Sequence, residues 1–208
     1  IRRPPRSTLS SSSAASDVYK RQTINHLERT DLPGSRQKIQ KWDVIPNADF
    51  VQRIAGEFIK IMSDDLFKGK KVVLFSLPGA FTPTCSEKQL PAYEEMYDRF
   101  KQAGVDEVYC VSVNDGFVMN AWAKDLGIEK VKLLADGNGD FTDSMGMLCT
   151  KRNKGFANRS WRYSLYAVNG IVQEAFVEPG FNHKGEDDDP YTCTDPETMI
   201  QFVEAEAR

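Results

Sequence analysis

The chain has 208 residues, 40% of them hydrophobic and 27% charged, which is enough for one domain with a substantial core. Its formal net charge of −3 gives no electrostatic case for nucleic acid or an anionic membrane as a partner. No apolar stretch approaches the length of a membrane span, and four scattered cysteines without a C-x-x-C pair argue against a zinc site or a disulfide-stapled secreted domain, so a cytoplasmic location is expected.

Residues 1–22 are rich in Ser, Arg and Pro, have no helical or strand period, and are read as a non-native or disordered leader. Their Arg- and Ser-rich start has the composition of a transit peptide but lacks an amphipathic pattern. The run Ser-Ser-Ser-Ala-Ala-Ser-Asp-Val-Tyr-Lys-Arg-Gln at 11–22 resembles a translated adaptor. Residues 23–45 are also poorly patterned, which places the folded domain over 46–208.

Residues 50–62 carry apolar side chains at mixed spacing that selects neither helix nor strand. A short helix over 64–70, closed by Gly69, leads into an apolar strand at 72–77. That run ends at Pro78-Gly79, and Cys85 follows where a helix begins. Thr84 and Glu87 have capping-box spacing, which puts Cys85 in the first helical turn. There the unpaired N–H groups and the helix dipole favour thiolate over thiol. The helix is expected to reach about Ala103, with Leu90, Tyr93, Tyr97 and Phe100 on one face and Gly104 as its stop. Pro91 removes a backbone bond to Glu87 and should kink it, either to wrap a core or to loosen the turn carrying Cys85.

Strands are expected at 108–113 and 131–135, with a helix over 116–126 between them and a short helix over 141–147 after them. Strands at 163–168 and 171–178 flank Asn169-Gly170, a strong hairpin signal. Asp195-Pro196 opens a terminal helix. This order predicts an α/β fold: a mixed sheet with a parallel core and a C-terminal antiparallel hairpin, flanked by helices.

Taken alone, Cys85 is more often a buried small hydrophobe than a nucleophile. Cys110 lies mid-strand and reads as core, and Cys149 follows Met147-Leu148 in a loop. His26 and His183 have no partner at ligand spacing, so a cysteine-protease reading, which needs a histidine base, has little support. The acidic run 186–189 reads as a solvated loop.

The spacing Pro78-x-x-x-Thr82-x-x-Cys85 resembles the active-site motif of the peroxiredoxins. The longer string Leu77-Pro-Gly-Ala-Phe-Thr-Pro-Thr-Cys-Ser86 is similar to their type-5, atypical two-cysteine branch and its bacterial glutathione/glutaredoxin-dependent relatives. Trp122-Ala-Lys-Asp125, Leu134-Ala-Asp136, Met145-Gly146 and Arg159-Ser-Trp-Arg-Tyr-Ser164 resemble the same branch, so the likeness covers about 46–208. It implies a thioredoxin-like fold and a thiol peroxidase that reduces hydrogen peroxide and organic hydroperoxides. Cys85 would be the nucleophile that becomes a sulfenic acid. Thr82 would hold a peroxide oxygen or the thiolate, Pro78 would shield the cysteine from water, and Arg162 would supply a fixed cation. Arg159 is a less certain second cation, with a surface salt bridge as the favoured reading.

Cys193 lies near where the resemblance puts a resolving cysteine, although the polar loop 179–190 before it looks more like the bacterial relatives that lack one. Cys149 is a weaker candidate. The resemblance implies no cofactor and no metal; the reductant would be an external thiol, either glutathione/glutaredoxin or thioredoxin. It also implies a homodimer, whose contact Phe81 and Trp161 could line. A peroxide-sensing redox regulator on the same fold is the alternative function. An inactive structural member is a third reading, against which the presence of both Thr82 and Arg162 counts.

Overall fold

The longest apolar runs of the chain meet in one five-stranded sheet, and the rest of the molecule covers its two faces. The computed structural model describes residues 36–207, so the leader expected over 1–22, and most of the segment over 23–45, lies outside the described residues. In chain order the elements are β1 (Asp49–Ile54), β2 (Glu57–Met62), α1 (Ser63–Phe67) and β3 (Lys71–Ser76). A π-helical turn (Cys85–Gln89) then runs into α2 (Leu90–Glu95) and α3 (Tyr97–Gln102). Next come β4 (Glu107–Ser112), α4 (Gly116–Leu126), β5 (Lys132–Ala135), α5 (Asp140–Ser144), β6 (Leu148–Thr150) and β7 (Asn158–Ser160). The chain ends with β8 (Tyr163–Val168), β9 (Ile171–Val177) and α6 (Pro196–Glu206).

The main sheet has the order β5-β4-β3-β8-β9. Its β3–β4 and β4–β5 pairs are parallel, whereas β3–β8 and β8–β9 are antiparallel, as the order of apolar runs predicts. One face packs Phe50, Leu74, Val111, Phe141, Trp161 and Leu165. The other packs Val73, Phe75, Cys85, Tyr93, Trp122 and Met199 beneath the helices that follow β3 and β9. Cys85 is therefore rooted in a core, and that anchorage lets a reactive group be held still.

Several elements differ from expectation. Residues 50–62 form the β1–β2 hairpin, whose turn residues Ala55 and Gly56 have φ of 49° and 85°. Two positive φ values match the twist of a tight hairpin, and Ala in place of Asn conceals the signal. Only Phe50 and Gln52 are buried in this ribbon, whereas Phe58 and Ile59 are exposed, which explains the mixed apolar spacing. The helix expected over 84–103 starts as a π turn and breaks at Met96, whose ψ is 1°. Cys149 lies in strand β6, paired with Arg159 of β7, and not in a loop.

Residues 36–45 pack on the domain although no period announces them. The Ile39 N–H donates to the Met145 carbonyl at 2.9 Å, and Trp42 and Ile45 donate to the carbonyls of Val172 and Gly170 at 2.8 Å each. Ile39 and Ile45 are buried. Gly146, at φ 68°, gives this segment room: a Cβ there would collide with the Gln37 carbonyl.

Candidate active site

β3 ends at Ser76, and the chain then turns sharply beneath the sheet. The Ala80 N–H donates to Asn114 Oδ1 at 3.0 Å, which fixes the Pro78–Gly79–Ala80 bend against the loop after β4. Helical geometry begins at Pro83, and the Ser86 N–H donates to the Thr82 carbonyl at 3.0 Å. Thr82 is thus the residue at the helix boundary, with proline at the first helical position. Thr84 has helical φ and ψ of −58° and −37° and makes no side-chain cap bond, so the expected Thr84–Glu87 capping box is not formed. Cys85 nevertheless sits in the first turn, where its own N–H and that of Thr84 have no acceptor within the helix.

The Thr82 hydroxyl donates to the Gly79 carbonyl at 2.8 Å, which ties the motif's threonine back to its bend. After Cys85 the ladder widens to π spacing, with the Leu90 N–H donating to the Cys85 carbonyl. Pro91 is the second residue of α2, so the distortion expected from it takes the form of this wider turn. One consequence is that Gln89, four residues after Cys85, is fully buried beside it.

Arg162 closes the site from the sheet. It stands just before β8, is 1% exposed, and points one guanidinium nitrogen, Nη1, at Cys85 Sγ from 3.5 Å. The same nitrogen donates to Gln89 Oε1, and Nη2 donates to Asp189 Oδ1, both at 2.5 Å. Burial works against the arginine's charge, but Cys85 and Asp189 outweigh it and hold the group above its ordinary range. It is a permanent cation facing sulfur. A cleft of about 320 Å³ reaches this place, lined in part by Pro78, Thr82, Pro83, Phe156 and Asp189. Four expected residues, Pro78, Thr82, Cys85 and Arg162, therefore converge from two separate parts of the chain.

Arg159 is not a surface salt-bridge partner. It is partly buried, donates to Asn114 Oδ1 at 3.2 Å and to the Phe156 carbonyl at 3.0 Å, and lies 2.8 Å from where a Cβ of Gly79 would stand. Burial lowers its basicity, and the charge of Cys85 opposes that shift. The acidic run is not simply solvated either. Asp187 forms an ion pair with Lys151 at 2.8 Å in which both side chains are only 3% exposed. Trp161 is core: its indole N–H donates to the Glu178 carbonyl at 2.7 Å, and its ring meets Phe181 edge-on. Phe81 remains exposed, with a φ of 62°.

Cys193 is a partly buried free thiol, as Cys85 is a buried one. Its segment is clamped by Glu178, whose Oε1 accepts the N–H groups of Thr192, Cys193 and Thr194 at 2.8, 2.9 and 3.0 Å. Burial and the Glu178 charge push the Cys193 thiol up to about 11. Burial does the same to Cys149, also to about 11, and raises Cys110 well above the ordinary thiol range. Gln89, Asn114, Asp189 and Lys151 belong to the site's surroundings but escaped the sequence reading. Gln89 alone had a legible cue, its spacing from Cys85. Among the described residues no cluster of His, Cys, Asp and Glu could hold a metal ion, and no helix is long and apolar enough to cross a membrane.

The Redoxin family model matches residues 41–190. A peroxiredoxin of Synechocystis is 53% identical over 141 residues, which span 68% of this chain and 74% of that protein. The hybrid peroxiredoxin hyPrx5 of Haemophilus influenzae is 46% identical over 159 residues, 76% of this chain and 64% of its own. Among solved structures, the 1-Cys peroxiredoxin of Plasmodium falciparum superposes with a TM-score of 0.75 at 38% identity, covering 80% of this chain and 99% of its own. Reduced Prx3 of Vibrio vulnificus in complex with hydrogen peroxide gives 0.72 at 37% identity, covering 79% and 99%. These likenesses extend to the whole thioredoxin-like core.

Proposed function

Since the chain belongs to the Redoxin family and is, within it, a peroxiredoxin with thiol-dependent peroxidase activity, we propose that Cys85 is its peroxidatic cysteine and that Arg162, Thr82 and Pro78 complete the site. The observation that carries this reading is the buried Arg162 guanidinium 3.5 Å from Cys85 Sγ, beside a cleft open to a small substrate. The thiolate attacks one oxygen of the peroxide. An S–O bond forms as the O–O bond breaks, the sulfur is oxidised to a sulfenic acid, and the departing oxygen leaves as water or an alcohol once protonated. Arg162 offsets the negative charge as it passes from sulfur to oxygen. The N–H groups of Thr84 and Cys85 are the remaining donors of that turn, and the Thr82 hydroxyl, which here donates to the Gly79 carbonyl, becomes one by turning toward the peroxide. Pro78 forms a wall without a donor, which keeps water out of the attack path.

A thiol must then reduce the sulfenic acid. We assign this step to an external thiol of the glutathione/glutaredoxin or thioredoxin type, with Cys193 as the candidate resolving residue within the chain. The Glu178 clamp, which must open before Cys193 can move, and the protonated state of that thiol near neutral pH favour the external route. The packing of residues 36–45 against the sheet supports a folded domain that includes them. The exposed Ile54, Phe58, Phe81 and Phe117 support a homodimer, and the cytoplasm is the assigned compartment.

Cys85→Ser is expected to abolish peroxide consumption while leaving the fold intact; consumption at the original rate in that variant would overturn the assignment. Mass spectrometry after one equivalent of peroxide would show a sulfenic acid at Cys85 on the external route, or a Cys85–Cys193 disulfide on the internal one.

A further inference from the structure

We propose that Asp189 is a positioning residue of the peroxidase reaction, holding the Arg162 guanidinium in the orientation that faces Cys85. The proposal rests on Cys85 being the peroxidatic residue. Arg162 has five N–H donors, and a guanidinium held at one point is free to turn. Here two further groups fix its plane. Gln89 takes a bond from Nη1 on the side of the π turn, and Asp189 takes one from Nη2 at the far end. With both in place Nη1 is aimed at sulfur, and the ring of Tyr191 lies over the guanidinium at 5.7 Å.

Asp189 can do this because its loop is pinned independently. The buried Lys151–Asp187 pair anchors the loop, Lys154 adds a second contact to Asp187 at 3.4 Å, and the Asn153 amide donates to the Gly185 carbonyl at 3.1 Å. The Asp189 N–H in turn donates to Asp187 Oδ1 at 3.0 Å. The backbone of Asp189 has a φ of 51°, in the left-handed region that Asp enters more readily than most non-glycine residues. Asp189 also lines the cleft with Pro78 and Thr82, so the clamp on Arg162 stands at the edge of that cleft. The loop bearing the supposedly solvated acids is therefore built onto the catalytic cation.

The electrostatic and positioning effects of this carboxylate have opposite signs, which makes the role testable. As a carboxylate bonded to Arg162, Asp189 offsets part of the positive charge that the guanidinium presents to the site; as a clamp on Arg162, it favours attack on peroxide. Rapid-mixing oxidation by hydrogen peroxide and alkylation by iodoacetamide should be measured on the full chain for the wild type, Asp189→Ala and Asp189→Asn. Alkylation needs the thiolate but no arginine-held oxygen. For Asp189→Ala we expect oxidation to slow roughly tenfold while Cys85 alkylation, which loses part of the Arg162 charge but also a neighbouring anion, changes far less, and Asp189→Asn, which keeps an acceptor oxygen, should fall between. Oxidation at the wild-type rate in both variants would overturn the proposal, as would an equal fall of oxidation and alkylation, which marks general damage to the site. Cys85→Ser, run alongside, separates the two claims: if it still consumes peroxide, the peroxidatic assignment fails first, whatever Asp189 does.

Discussion

Both carboxylate oxygens of Glu178 are occupied by the segment that carries Cys193, three backbone N–H groups and the hydroxyl of Thr194 on one and the Thr192 hydroxyl on the other. Burial alone would raise this acid, but those bonds outweigh it and hold it below the usual carboxylate range, so it is an anion at neutral pH. An anion and burial act together on the adjacent thiol, which is why Cys193 ionises only near pH 11. At neutral pH it is then held as the thiol, and a thiol in that state is a slow attacker of a sulfenic acid. Glu178→Gln keeps the acceptor oxygen and removes the charge. The pH profile of Cys193 alkylation in this variant should shift to lower pH, with several-fold faster labelling at pH 9. An unmoved profile would mean that burial alone sets the thiol, and Glu178 would lose its part in restraining it.

At the scale of elements, the legible parts are those whose signals are local. α4 has Asp115 as its cap, accepting from the N–H groups of Phe117 and Val118, and Gly127 in the left-handed conformation as its stop. α6 starts at the Asp195-Pro196 pair, and Asn169-Gly170 turns β8 into β9. Cys85 and Arg162 were likewise legible, because their motif residues stand at fixed spacing or in a short run. The π turn was not: a proline in both α and π ladders looks the same in sequence, and Thr82 and Thr84 flank Pro83 as equally plausible caps. Asp189, Asn114 and Lys151 reach the site only through tertiary contacts between distant loops, with no period to betray them. Residues 36–45 were missed because main-chain bonds and two buried isoleucines hold them, in no repeating pattern. Their docking makes a prediction at Gly146. Gly146→Ala places a Cβ in a left-handed backbone and against the Gln37 carbonyl, two faults that together should lower stability by roughly 2 kcal/mol. Urea denaturation should show an earlier midpoint at an unchanged slope. Wild-type stability would mean that the 36–39 segment does not dock as described.

On the scale of the whole molecule, one surface gathers several large exposed apolar side chains. The β1–β2 hairpin sits on the start of α4: a Cβ on Gly116 would lie 2.7 Å from the Arg53 nitrogen, and the Asn120 amide donates to the Arg53 carbonyl at 2.6 Å. That junction presents Ile54, Phe58 and Phe117 to solvent, the two phenylalanine rings meeting edge-on at 5.8 Å with Arg53 over both. Asn114, three residues before Phe117, is bonded to Ala80, so the same surface is tied to the bend beside exposed Phe81 and hence to the turn carrying Cys85. Covering it with a second copy would bury these side chains, at roughly 2 kcal/mol for each one fully desolvated, and would brace the bend beneath Cys85. Phe117→Asp puts a charge in the middle of that contact without touching the core, since Phe117 is 57% exposed. Analytical ultracentrifugation should show the wild type as a dimer and the variant dissociating with a constant raised about a hundredfold or more, which corresponds to about 3 kcal/mol. The freed monomer should retain peroxidase activity at a reduced oxidation rate, because Cys85 and Arg162 lie within one chain while the bend supporting Cys85 has lost its brace. A wild type that stays monomeric, or a variant that stays dimeric, would remove this face from the interface and leave its exposed rings to some other partner.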